Sequence, residues 1–85
     1  MSQQGDAANT LHAAVNKVMD VVAMLSEAAM RYDEVQGLVQ QALGGTADVS
    51  EVAGMTAQLQ QQLETVFQGT LNLGTVIEGL ANARS

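Results

Sequence analysis

The residues whose chemistry could support catalysis or metal binding are few and scattered. The chain holds one histidine and no cysteine. Asn16 follows His12 one helical turn later, but no second histidine and no carboxylate cluster accompanies it. A metal ion or a general base needs such neighbours. We therefore interpret His12 as a surface residue and expect neither a metal site nor a cofactor.

The carboxylates do not form a catalytic pair either. Asp33 and Glu34 are adjacent, so they leave a helix in different directions. Glu27 and Arg31 have the four-residue spacing of a helical ion pair, which stabilises by roughly 0.2–0.5 kcal/mol. The Gly44-Gly45 pair lacks the flanking pattern of a phosphate-binding loop. The sequence predicts that the protein is not an enzyme and has no small-molecule substrate.

Charge and hydropathy exclude two further classes of partner. The net charge of the 85 residues is −6, and the cations are Lys17, Arg31 and Arg84. A nucleic-acid binder needs a basic surface, so we expect no nucleic acid. The longest apolar run, residues 21–25, is too short to span a membrane. The polar residues 1–10 do not resemble a cleavable signal peptide.

Two long amphipathic segments organise the chain. In each, residues recur at alternating steps of three and four, which is the seam of a helix that packs against another helix. We predict a flexible N-terminus over residues 1–7 and helices over residues 8–43 and 49–83. The seam of the first helix is Leu11, Val15, Val18, Val22, Leu25, Ala29, Tyr32, Gln36, Val39 and Leu43. That of the second is Val49, Val52, Thr56, Leu59, Leu63, Val66, Thr70, Leu73, Ile77, Leu80 and Arg84.

The segment between the seams predicts a tight bend over residues 44–48. After Leu43, Gly44 or Gly45 supplies the left-handed residue that closes a helix C-terminus. Asp48 is a candidate N-cap of the second helix, and Glu51 completes a capping box with it. A flexible linker would need neither device. The predicted fold is therefore all-α: an antiparallel, coiled-coil-like hairpin of two helices.

Folding the chain back at this bend brings two polar residues of the seams together. Gln36 falls opposite Thr56, and apolar seam residues face each other elsewhere. Two buried polar groups at one level can satisfy each other and fix the register of the helices at some cost in stability. The alternative is coincidence, since the seams contain few polar residues.

One flank of the hairpin is apolar outside the seams. We call it the apolar flank; its predicted members are Ala14, Val21, Ala28, Val35 and Ala42 in the first helix and Met55, Gly69 and Val76 in the second. An exposed apolar stripe of this length needs a cover. Either the first helix has a widened core-facing side, or a second hairpin packs here. We expect the second: a four-helix bundle or helical assembly, formed as a homo-oligomer or as a heterodimer with a similar helical protein.

The bend and the hairpin together resemble the WXG family of small proteins exported by type VII secretion systems. Leu43-Gly44-Gly45 stands where that family has Trp-x-Gly, followed by Thr46 and a second helix. The resemblance extends over nearly the whole chain in architecture. It implies paired hairpins that leave the cell as a folded unit without a cleavable signal peptide, and that are cytoplasmic before export.

Two alternatives remain open. The stretch MTAQLQQQLETVF, residues 55–67, is similar to the start of the second helix in needle subunits of type III secretion systems. That resemblance, shared with inner-rod subunits, implies a hairpin that polymerises into a filament. A cytosolic coiled-coil subunit or chaperone of a larger assembly is the third interpretation.

Overall fold

The computed structural model describes residues 3–84, which form two long α-helices and a tight bend. Helix α1 is Gln3–Leu43 and helix α2 is Ala47–Arg84. The helices pack side by side along their length, in a molecule measuring 66 × 16 × 10 Å. The absence of proline from the sequence lets both helices run without interruption. The predicted all-α two-helix hairpin is confirmed.

Helix α1 begins earlier than the apolar pattern indicated. Residues 3–7, which we expected to be flexible, are helical. Met1 and Ser2, the rest of that segment, lie outside the described residues. Ala8 is buried, so α1 already has a packed side chain within its first two turns. A small residue close to the other helix gives a weaker sequence signal than Leu11, from which the seam could be recognised.

The bend is shorter than predicted and consists of Gly44, Gly45 and Thr46. Gly45 has a φ of +90°, a conformation that favours glycine. A Cβ on Gly44 would lie 2.6 Å from the backbone oxygen of Gln40, so a side chain there would require a shift of the backbone. The backbone nitrogen and the hydroxyl of Thr46 both donate to the carbonyl oxygen of Leu43, at 3.0 and 2.7 Å. These bonds close the C-terminus of α1.

Asp48 does not stand ahead of the second helix as a cap. Because α2 begins at Ala47, Asp48 lies within its first turn, and the bend predicted to end at residue 48 ends at Thr46. The predicted capping box with Glu51 therefore does not mark the start of α2. A carboxylate in the first turn still interacts favourably with the helix dipole.

Helix α1 packs through the predicted seam. From Leu11 to Val39, every seam residue is buried or half-buried, with Val18 the most enclosed. Leu43, at the last position of the seam, is exposed beside the bend. The alternating three- and four-residue spacing thus identified the face of α1 that contacts α2.

Helix α2 is rotated relative to the prediction. Six residues of its predicted seam are buried or half-buried as expected: Val49, Val52, Thr56, Leu63, Thr70 and Ile77. The prediction that Leu59, Val66, Leu73 and Leu80 also face α1 is wrong, since all four are exposed. Arg84, the last predicted seam residue, is exposed as well. The next row along the helix, Gln60, Phe67, Gly74 and Ala81, lies inside in their place.

The reason for this rotation lies in the small residues of the inner row. A Cβ on Gly74 would lie 3.2 Å from Cγ1 of Val18, so the glycine lets the backbone of α2 approach that side chain. Ala81 is fully buried, at 0% exposure. Small residues at both levels bring the helices close together, and the half-buried Phe67 lies in the same row two turns nearer the bend. Leucines in the same row would hold the helices apart.

Candidate interaction surface

The hairpin encloses very little apolar side-chain volume. Among the described residues, the buried apolar ones are Ala8, Val18 and Ala81, and no large side chain is fully buried. Many valine, leucine and methionine side chains are instead open to solvent. Two helices alone cannot enclose this many apolar residues, so the surface that remains uncovered is the candidate site.

On α1, the apolar flank is partly covered and partly open. Ala14 and Ala28 are half-buried at the edge of the seam, whereas Val21 and Val35 are 42% and 47% exposed. Ala42 is exposed near the bend. The alternation of small and larger residues therefore forms a ridge with shallow gaps between successive valines.

On α2, the apolar flank is larger than predicted. Met55 and Val76 are both about 60% exposed, and Gly69 lies in the open between them. The rotation of α2 adds the exposed residues Leu59, Val66, Leu73 and Leu80, which we call the outer row. Each member of the outer row lies one turn from Met55, Gly69 or Val76 and so adjoins the same surface.

A hydrogen bond between the helices shows that both apolar rows share one side of the hairpin. Nε2 of Gln60 donates to Oδ1 of Asp33 at 2.8 Å. Asp33 lies on the side of the α1 seam opposite Val35, and Gln60 lies on the side of α2 opposite the outer row. This bond therefore marks the polar flank, and the apolar rows of both helices lie on the other flank.

Charged side chains border the apolar flank on α1, where Arg31 lies one turn from Ala28 and Val35. Arg31 donates to Glu27 at 3.2 Å and to Glu34 at 2.9 Å, and all three side chains are exposed. Pairing with two carboxylates neutralises the cation at the edge of the flank. Exposed pairs of this kind contribute little to stability, about 0–1 kcal/mol. These three charged residues therefore lie beside the uncharged apolar flank.

Gln36 and Thr56, the polar residues predicted to lie opposite each other in the two seams, are both in the interior of the hairpin. Thr56 is buried, and Oε1 of Gln36 is buried without a hydrogen-bond partner. About five turns separate this level from the contact of Val18 with Gly74 on each helix, which places Gln36 opposite Thr56. The expectation that these two polar residues satisfy each other is therefore wrong for Oε1 of Gln36, and a buried carbonyl oxygen without a partner destabilises the hairpin.

The polar flank contains a shallow groove of about 380 Å³ whose lining is mostly apolar. The lining residues are Leu25, Ser26, Ala29, Met30, Gln60, Leu63, Glu64 and Phe67. His12, the only histidine of the sequence, is exposed on α1 more than three turns before Leu25, the first residue of the groove. Within the described part of the chain, no three histidine, aspartate or glutamate side chains come together as metal ligands do. Over the same residues, no helix has the length and apolar character needed to cross a membrane.

The outer row is the part of the surface that sequence reasoning missed. Both the outer row and the row of Gln60, Phe67, Gly74 and Ala81 have seven-residue spacing, and the outer row is the more apolar. The sequence prediction took the more apolar row as the inner face of α2 and therefore placed the outer row inside the hairpin. The signal that could have identified the inner row is the small size of Gly74 and Ala81, because small residues permit close helix approach.

Comparison with known proteins gives no relative: no family model matches the chain, and neither the curated proteins nor the solved structures contain a significant match.

Proposed function

We propose that the protein is a non-catalytic assembly subunit that acts by packing its apolar flank against another helical protein. The single observation that carries this proposal is the exposed apolar surface formed by the apolar flank and the outer row, which Gln62 interrupts between Met55 and Gly69. Monomeric soluble proteins rarely expose apolar patches of this extent, and larger ones mark sites of interaction.

The shape of the surface supports a helix as the partner. It is a long stripe along two parallel ridges rather than a concave pocket, and small-molecule sites are concave. Its residues repeat with the seven-residue spacing of a helix seam. A helix laid along this stripe would bury Val21 and Val35 of α1 together with the outer row of α2.

We place this subunit, within the same proposal, among the small partner or substrate proteins of a type VII-like secretion system. The support is the hairpin architecture and the position of the bend, where Gly44 and Gly45 follow Leu43. Export is tested by comparing culture medium from cells with and without the secretion ATPase. Appearance of the protein in medium only when the ATPase is present is the expected result; equal amounts in both contradict export by this route.

The association itself is tested by replacing Val21 and Val35 together with glutamate. The matched control replaces Met19 and Met30, which are similarly exposed but lie away from the apolar flank. Light scattering after size exclusion measures the mass of each variant, and circular dichroism measures helix content. We expect the flank variant to lose association while remaining helical, and the control to associate as the unmodified chain does. Equal masses for the two variants would contradict the proposed function.

A further inference from the structure

We propose that the occupant of the apolar flank is a second copy of this chain, related by a two-fold axis parallel to the helices. In this pair both bends lie at the same end, and α1 of each copy packs on α2 of the other. The inference rests on the proposed function and deepens it by naming the partner and its orientation.

The surface area of the hairpin fits a partner of this size. The chain exposes 6042 Å² for a mass of 8.9 kDa. A compact monomer of that mass would expose about 4,800 Å², so the excess is about 1,200 Å². A stable protein–protein interface buries about 800 Å² on each partner. One further hairpin laid along the flank accounts for such an area.

Side-chain size favours contact between unlike helices. The flank row of α1 alternates alanine and valine, whereas the outer row of α2 carries leucine and valine. Small residues packed against large ones interdigitate, whereas small against small leaves gaps and large against large holds the helices apart. The flank of α1 therefore complements the outer row of α2 and not a second α1.

Helix direction then selects the orientation of the two copies. With both bends at the same end, α1 is antiparallel to its own α2 and also to the α2 of the second copy. Antiparallel neighbours place opposite ends of the helix dipoles together. Each helix then has two antiparallel neighbours, as in an up-down-up-down bundle with short loops.

The register of the hairpin predicts which residues meet. A two-fold axis parallel to the helices leaves the height of each residue along the helix axis unchanged. Two residues at the same height within one hairpin are therefore also at the same height between the two copies. Val18 lies at the same height as Gly74. Val21, one turn closer to the bend, therefore lies at a height between those of Gly69 and Leu73. A valine of α1 thus faces the glycine in the flank of α2.

No close contact within the hairpin requires a glycine at position 69, as is also true of Gly37, Gly54 and Gly79. A Cβ built on this residue would meet no heavy atom within 4 Å, and its φ is not left-handed. Glycine in the middle of a helix is unfavourable relative to alanine. In the pair, Gly69 provides the space into which Val21 of the second copy packs.

Distances between labels on the two copies test the orientation. The chain has no cysteine, so a single substitution gives one labelling site. Gln41→Cys lies near the bend and Ala13→Cys near the open end, and both residues are exposed on α1. With bends together, both variants give distances near the width of a four-helix bundle, about 30 Å including the labels. With bends apart, the two Gln41 labels lie near opposite ends of the pair, about 50 Å apart along the helix axis at ~1.5 Å per residue. The Ala13 residues lie nearer the middle of α1 and give a shorter distance in that arrangement, so a long Gln41 distance is the result that would overturn the proposed orientation.

A glycine substitution tests the contact itself. Gly69→Ala should raise the dissociation constant of the pair at least tenfold, because the added methyl fills the space for Val21. Gly54→Ala is the control, since a Cβ there also meets no heavy atom within 4 Å but the residue lies outside the flank. It should leave the dissociation constant unchanged. Equal effects of the two substitutions would overturn the contact.

The outcomes separate this inference from the proposed function. A pair that dissociates in the Val21 and Val35 double variant but gives a long distance between the Gln41 labels overturns the orientation alone. A chain that stays at 8.9 kDa at every concentration overturns the second copy as partner. A pair that persists in the double variant overturns the proposed function as well.

Discussion

Replacing Gly74 by leucine tests the helix packing where a glycine lets α2 approach Val18. The Cβ alone would lie 3.2 Å from Cγ1 of Val18. Carbon atoms in contact prefer about 3.5–4.0 Å, and leucine adds three more carbons beyond the Cβ. The helices must therefore separate or Val18 must change its rotamer.

The expected magnitude follows from two opposing effects on the free energy of unfolding. Leucine is a better helix former than glycine by up to about 1 kcal/mol. Overpacking a well-fitted contact costs about 1–3 kcal/mol. Because the cost of overpacking exceeds the helix-forming gain, we expect Gly74→Leu to lower the free energy of unfolding by about 1–2 kcal/mol.

Gly79→Leu is the matched control because no heavy atom lies within 4 Å of a Cβ built there. Without a steric cost, only the helix-forming gain remains, so this variant should be more stable by about 0.5–1 kcal/mol. Urea unfolding followed by circular dichroism, at one protein concentration, measures both variants. The two substitutions should change stability in opposite directions.

Val18→Ala provides the test of mechanism. If Gly74→Leu acts by colliding with Val18, the double variant should lose at least about 1 kcal/mol less than the sum of the single losses. Additive losses would show that Val18 does not oppose the new side chain. That result would refute the register on which the rotated α2 depends.

Three further predictions concern the seam and the bend. Gln36→Leu should raise the free energy of unfolding by about 1–2 kcal/mol in urea, because it removes a buried oxygen without a partner; a loss of stability would contradict this. Gly45→Ala should lower the midpoint of thermal unfolding, since its φ of +90° costs alanine about 1–2 kcal/mol; an unchanged midpoint would show that the bend can relax. Phe67→Ala should lower the free energy of unfolding of the hairpin by more than about 2 kcal/mol, whereas Val66→Ala, being 52% exposed, should change it by less than about 1 kcal/mol. Equal losses at these neighbouring residues would contradict the rotation of α2.

The hairpin could be predicted from the sequence because its signals are local and repeated. The seam of α1 recurs ten times from Leu11 to Leu43, and Gly45 marks the one left-handed residue of the bend. Periodicity identifies a helix and its inner face when a single apolar row dominates. In α1 that condition holds, and the predicted face is the observed one from Leu11 to Val39.

The orientation of α2 could not be predicted in the same way. Two rows of residues in α2, one position apart, could each form the face that contacts α1. One is the apolar row that includes Leu59 and Val66, and the other includes Phe67 and Gly74. Which row lies inside depends on how closely the helices approach, and that distance depends on both helices together. Periodicity of one segment contains no information on this distance.

The apolar flank was visible in the sequence, but its full extent was not. The alternation of alanine and valine in α1 indicated a second apolar face. The outer row joined it only because α2 turned away from the predicted position. The same rotation that falsified half of the α2 seam therefore enlarged the surface on which the proposed association depends.

Sedimentation equilibrium of the unmodified chain over a concentration series tests the central claim most directly. We expect the mass to rise from 8.9 kDa to twice that value and to stay there, because one hairpin covers the apolar flank of the other. A mass that stays at 8.9 kDa while the chain is fully helical would contradict the pairing of two copies. A mass that continues to climb would contradict a closed pair and favour the polymerising alternative.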